Sequence, residues 1–229
     1  MDFLGTIQWQ NLFDIDLAER NASFILNGIV ATVWISITAM AIGLLIGLFT
    51  AMARMSKRWI LQGIARIYIS IIRGTPLLVQ LFILYFGLPV IGVTLTPTAA
   101  GLIGLSMNVG AYAAETIRGS LASIPKGQWE AAASLNMTYW QTMRRVIIPQ
   151  AARVALPSLM NSFLSLVKDT SLLAMITVNE MFYRAKIVGG REFDYMTPYI
   201  LVAVYYWIVC TVLNYAQQKL EKRYGRYAG

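Results

Sequence analysis

The chain has 229 residues, of which 57% are hydrophobic and 13% charged, with a net charge of +8, no histidine and one cysteine. An average soluble domain carries about a quarter charged residues, so an ordinary water-soluble enzyme is excluded as the starting point. Zinc ligation, a Ser-His-Asp triad and a disulfide framework lack their raw materials, and no metal site is expected. Cys210, set in an apolar run, reads as a small apolar filler.

Charge-free runs mark spans, because a helix needs about 20 residues to cross roughly 30 Å of hydrocarbon. Residues 1–23 hold Asp2, Asp14, Asp16 and Glu19 against Arg20, the reverse of the basic start of a secretory signal. They read as an extracytoplasmic segment. The first span covers 24–53, where Gly43 and Gly47 form a small-residue packing pair. The second covers 60–86 and the third 98–119, separated by an uncharged loop containing Pro89 and Pro97. The fourth covers 151–177 and the fifth 197–218; residues 219–229 form a tail. This describes an all-α membrane protein with one transmembrane domain over 24–218.

Positive charge alternates between the connections. The first loop and the start of the second span hold Arg54, Lys57, Arg58 and Arg66 without an acid. The third loop, about 120–150, is bounded and crossed by Arg118, Lys126, Arg144, Arg145 and Arg153 against Glu130. In the fourth, Arg184, Lys186 and Arg191 balance Glu180, Glu192 and Asp194, while the tail carries a basic surplus. The positive-inside rule then puts the N-terminus outside and the C-terminus inside. The surplus charge is topological, and no nucleic-acid partner is implied.

The third loop has helical character. Gln128–Leu135 is rich in helix formers, Asn136 is a candidate left-handed stop, and Thr138 with Gln141 forms a capping box for a second helix from Tyr139. Pro149 sets the entry to the fourth span. Ala131, Ala132 and Ala133 offer a smooth surface, with Trp129 and Trp140 as anchors. Such a pair of helices either seats in a groove of another protein or rests on the headgroups.

Polar residues inside spans are costly and mark functional candidates. Asn108, Tyr112 and Glu115 share one helical face of the third span; Asn161, Ser165, Lys168 and Asp169 share one face of the fourth, followed by Thr170. Two such stripes suggest the walls of a polar path for a zwitterion. Each residue also has a structural reading. Lys168 and Asp169 can pair or mark a helix end, with Thr170 capping a turn. Glu115 can pair with Arg118, Asn108 and Asn161 can join helices, and Tyr112 can simply pack. Arg73 can snorkel or satisfy carbonyls near Pro76.

Glu130-Ala131-Ala132, three residues, Asn136, nine residues and Val146-Ile147-Ile148-Pro149 together resemble the EAA loop of ABC-importer permeases. Asn136 stands where that pattern has glycine, and Val146 and Ile148 preserve apolar volume. Arg73-Gly74-Thr75-Pro76-Leu77-Leu78-Val79-Gln80 is similar to the second-span signature of the polar amino-acid permeases. Asn161 to Leu172 resembles the same subfamily, and Ser162 to Leu172, with Gly127-Gln128-Trp129-Glu130 and Glu180-Met181-Phe182-Tyr183-Arg184, looks most like its L-cystine members.

The resemblance implies a type I importer permease in the bacterial plasma membrane, paired with a second permease chain, a homodimer by preference. It also implies two cytoplasmic ATPase subunits, an extracytoplasmic binding protein and a polar amino-acid substrate: L-cystine first, with arginine or glutamine as alternatives. Glu130, Ala131, Ala132 and Asn136 would then couple to the ATPase. No Walker sequence is present, so this chain binds no cofactor itself; ATP and magnesium belong to the ATPase subunits, and the chain is not an enzyme alone. The competing readings are a stand-alone secondary transporter or channel and a membrane enzyme. The first lacks an internal repeat and the second lacks a specified nucleophile.

Overall fold

In a computed structural model, residues 12–225 are described, with the side chains of residue 220 and of 222–225 excepted. Asp2 and Arg226 lie outside the described residues. Every regular element among the described residues is helical. Three helical stretches are long and apolar enough to cross a membrane, and a bent helix pair makes a possible fourth.

The acidic N-terminal segment ends in a helix that its charge had not suggested. α1 (Ile15–Leu26) starts at Asp14, whose carboxylate accepts from the Leu17 N–H at 2.9 Å. Its Leu17 and Ile25 pack among Met181, Ala185, Val188 and Val202. The chain turns at Asn27–Gly28 into α2 (Ile29–Met55). A Cβ on Gly28 would stand 2.6 Å from the Met181 backbone, so this corner admits no side chain. The expected first span, about 24–53, lies within the apolar stretch Ile15–Met55, most of it in α2.

α2 lies against α5 (Pro97–Ala122), the most enclosed helix of the protein. At Gly47 an added Cβ would come 2.7 Å from Ala113 Cβ, and at Gly43 it would collide with Val109 Cγ1. In lipid no hydrophobic drive separates helix from tail, so this close approach holds the pair through dispersion. α5 is rich in Ala, Gly and Ser because protein surrounds it: Ala100, Leu105, Ala111, Ala113 and Ala114 have no exposed surface. With Ile35, Ala39, Leu81, Leu166, Leu173 and Ile176 it forms the main core.

The stretch 60–86 is not one straight span. α3 (Trp59–Gly74) stops before Thr75-Pro76, and the chain resumes as α4 (Leu77–Phe82), bent by 105°. α4 passes through a π-turn (Ile83–Gly87) and a 3₁₀ turn (Leu88–Ile91) to the left-handed Gly92. Proline removes a backbone donor and disfavours helix in the residue before it, which is the cause of the break. Gln80 repairs the loss. Its Nε2 donates to the carbonyls of Ile72 at 2.8 Å and Thr75 at 3.1 Å, and to Thr75 Oγ1 at 2.9 Å.

On the next connection lie α6 (Lys126–Ser134) and α7 (Tyr139–Thr142), the latter running through a π-turn (Met143–Ile147) into α8 (Ile148–Asp169). α8 tightens into a 3₁₀ segment (Thr170–Ile176) and ends at left-handed Thr177. The fourth connection contains another unforeseen helix, α9 (Met181–Glu192), which packs beneath α10 (Met196–Gly225). Asp194 caps α10, accepting from the N–H groups of Met196 and Thr197 and from Thr197 Oγ1. These bonds hold its carboxyl below the usual carboxylate range.

Candidate functional site

The two polar stripes meet. A cavity of about 550 Å³ is walled by Asn108, Val109 and Tyr112 of α5, by Asn161, Ser162, Ser165 and Asp169 of α8, and by Thr75, Pro76 and Leu77 at the α3–α4 break. Helical rotation of about 100° per residue explains the membership. Asn161, Ser165, Asp169 and Ser162 fall within one arc of roughly 100°, as do Asn108, Tyr112 and Val109. The i+7 residue of each stripe, Lys168 or Glu115, lies beyond the edge of that arc. Ser162 was missed in sequence, although its i+3 relation to Ser165 placed it on the same side.

Three of the residues assigned to the path therefore stand apart from the cavity. Glu115 receives Arg118 Nη2 at 2.8 Å and has Arg54 Nε at 4.0 Å. It is a paired charge on α5. Lys168 faces away from Asp169 and lines a second cavity of about 270 Å³ with Ser171, Phe182, Tyr199 and Tyr206. Among the described residues no ion pair joins Lys168 to Asp169. Thr170 is fully buried, its Oγ1 donating to the Val167 carbonyl at 2.7 Å.

The remaining wall residues are held by their own partners. Asn161 Oδ1 accepts from Gln217 Nε2 of α10 at 3.0 Å. Arg73 lies over the Tyr112 ring, 5.0 Å from its centroid, which brings one cation to the cavity's edge. Tyr68 donates to the Met107 carbonyl at 2.6 Å and ties α3 to α5 one residue before Asn108. Thr75 and Pro76 belong to the wall because the break exposes them there. The carboxylate of Asp169 is the one acid in the lining, among amides and hydroxyls.

The connection between α5 and α8 is a defined elbow. Leu135 ends α6, Asn136 takes φ 54°, and Thr138 and Gln141 complete the reciprocal capping box. The Thr138 N–H donates to Gln141 Oε1 at 2.9 Å, and the Gln141 N–H donates to Thr138 Oγ1 at 3.4 Å. The alanine surface needs correction: Ala132 is 3% exposed and faces inward, while Ala131 and Ala133 face out with Glu130. Helical geometry cannot put three consecutive residues on one face. Trp129 is likewise half-buried, stacked on Tyr139 and packed against the Ile124, Ile147 and Ala151 cluster. The outward apolar groups are Leu135 and Trp140, each 76% exposed, and Tyr139.

Apolar helices, a break at Thr75-Pro76 beside a polar cavity, and a folded elbow between α5 and α8 define a membrane permease. The chain belongs to the family of binding-protein-dependent transport system inner membrane components, which it matches over residues 43–226. It is 51% identical over 224 residues to the probable amino-acid ABC transporter permease YckA of Bacillus subtilis, covering 98% of this chain and 99% of that one. With the L-cystine transport system permease TcyB of the same organism it shares 47% over 227 residues, covering 98% and 94%. A solved structure described as an amino acid ABC transporter with histidines has a TM-score of 0.83 at 34% identity, covering 97% of this chain and 99% of that one. This chain is thus an inner-membrane permease subunit with the type I importer fold. It is not catalytic by itself, the ATPase being a separate subunit.

Proposed function

We propose that this permease moves a polar amino acid through the cavity between α5, α8 and the α3–α4 break, and that L-cystine is the first candidate. The observation that carries the reading is the lining itself. One carboxylate, two asparagines and several hydroxyls converge in about 550 Å³, with Arg73 at the margin over Tyr112. Asp169 suits an α-ammonium group, while amide and hydroxyl donors with Arg73 suit a carboxylate. Cystine carries both groups at each end. Its candidacy rests on the likeness to TcyB and on the Asn161–Leu172 stretch; arginine and glutamine remain the alternatives.

In this reading five spans cross the membrane with the N-terminus outside and residues 219–229 in the cytoplasm. The segment before α2 lies on the outer side. Glu130, Ala131 and the Asn136 turn, with Leu135 and Trp140, meet a cytoplasmic ATPase subunit. ATP and magnesium are bound there and not by this chain. A second copy of the permease completes the membrane unit, and a binding protein delivers the amino acid from outside. Closing of the ATPases moves the elbow, and α5 and α8, which flank it in the chain, re-orient around the cavity.

The test is reconstitution in liposomes with the cognate ATPase and binding protein, measuring ATP hydrolysis and uptake with L-cystine, arginine, glutamine, glutamate and histidine in turn. Stimulation by L-cystine above the others supports the assignment. Stimulation by another polar amino acid reassigns the substrate, and uptake without the ATPase overturns the coupling.

A further inference from the structure

Behind the cavity lies a buried polar cluster that the transport path does not use. Glu180, with no exposed surface, caps α9: its Oε2 accepts from the Phe182 N–H at 2.9 Å and its Oε1 from the Tyr183 N–H at 2.6 Å. Tyr206 of α10 donates its hydroxyl to Glu180 Oε2 at 2.6 Å. The same hydroxyl lies 3.4 Å from Thr170 Oγ1. Thr32 of α2, also without exposed surface, accepts from the Met181 N–H at 3.4 Å. Four elements therefore meet on one carboxylate and one phenol.

Thr170 is the residue at which α8 changes from α to 3₁₀ geometry, and Asp169 precedes it directly. Where the Asp169 carboxylate enters the cavity depends on that junction. We infer that Tyr206 is a positioning residue for transport, fixing through Glu180 and Thr170 the junction from which Asp169 reaches the cavity. Thr170 Oγ1 donates to the Val167 carbonyl at 2.7 Å and has the Tyr206 oxygen against it at 3.4 Å, so a phenol held by Glu180 holds the last turn of α8. The inference rests on the proposed role of Asp169 in the path.

The experiment uses the full complex of permease, ATPase and binding protein in liposomes, with L-cystine, arginine and glutamine as cargo. Its readout is the number of amino acids imported per ATP hydrolysed. Tyr206→Phe and Thr170→Val are each expected to lower that ratio by about fivefold, the size of one lost buried hydrogen bond. ATP hydrolysis and the half-saturating concentration of binding protein stay unchanged. Combining the two is expected to add little to either alone, because both break the same link. Thr170→Ser keeps the hydroxyl and keeps the wild-type ratio. Tyr205→Phe, which removes a neighbouring hydroxyl bonded to the Ala22 carbonyl at 3.3 Å, is the control for a merely structural loss.

An unchanged ratio in Tyr206→Phe, or a parallel fall of hydrolysis and uptake in both Tyr206→Phe and Thr170→Val, overturns the inference. If either variant fails to assemble, the other decides. Asp169→Asn, run alongside, separates the two ideas. No effect there removes the path assignment and the inference with it, whereas an effect there without one at Tyr206 and Thr170 removes only the inference.

Discussion

The cavity and the elbow between α5 and α8 reverse the usual partition of side chains in opposite ways. In the cavity, asparagines, hydroxyls and Asp169 sit inside a protein that lipid surrounds. At the elbow, Leu135, Tyr139 and Trp140 stand out into solvent on the connection between two spans. Each costs free energy in the isolated chain, the first through desolvation and the second through exposed apolar area. The difference lies in how they are supported. Two walls of the cavity are carried by long helices, α5 seated on Gly43 and Gly47 of α2, and the third by the break that Gln80 repairs. The elbow depends on local devices: one left-handed residue, one capping box and a small cluster around Ile124, Ile147 and Ala151.

The sharpest way to break this contrast is to disable each region by one side chain. Glu130→Ala leaves the elbow folded, since Glu130 is exposed and its side chain lies outside the Ile124 cluster. Uptake is expected to fall at least about tenfold while ATP hydrolysis continues, the loss of one well-placed interface charge. Wild-type uptake in liposomes would deny the elbow its coupling role. Asp169→Asn acts on the other region, with a fall in uptake of about tenfold at unchanged yield of assembled complex. Equal uptake of every cargo by mutant and parent would make the carboxylate structural.

Backbone tests sharpen the comparison further. Asn136→Val forces a β-branched residue to φ 54° and is expected to destabilise the elbow by about 1–2 kcal/mol, whereas Asn136→Gly is tolerated. Limited proteolysis between α6 and α7 reads the difference, and equal cleavage of the two variants would show that the turn bears no strain. The smallest effect belongs to Gln141→Ala, which removes half of the capping box and costs about 0.5–1 kcal/mol. Faster hydrogen exchange confined to α7 is the expected sign; a change spreading into α8 would mean the elbow is stiffer than its contacts suggest.

Much of the molecule was legible in the sequence because its rules there are local. The Asn136 turn and the Thr138–Gln141 box each depend on a few consecutive residues, and the side chains that make them have few alternatives. The Asn108 and Asn161 stripes were visible because polar groups in a span are rare. What escaped depends on tertiary surroundings. The 105° bend follows from Pro76, yet a largely apolar run of the right length looks continuous until Gln80 is seen to satisfy the freed carbonyls. α1 and α9 are short helices whose apolar sides are complete only against α10. Lys168 and Asp169 are neighbours in the chain and stand about 100° apart on α8, but that each side meets a different cavity depends on the neighbouring helices. Glu180 and Tyr206 carried no local signal, since 26 residues separate a carboxylate from the phenol that completes it.

The break at Thr75-Pro76 also has a meaning for the surrounding lipid. α3, with 16 residues, reaches only about 24 Å along its axis, short of a typical hydrocarbon layer of roughly 30 Å. A bilayer matched to that length would be thinner than typical, and mismatch costs fractions of a kcal/mol per ångström. α3 ends at Thr75 and Pro76, which also wall the cavity. Acyl-chain length in the host bilayer is thereby written into the carrier's energetics.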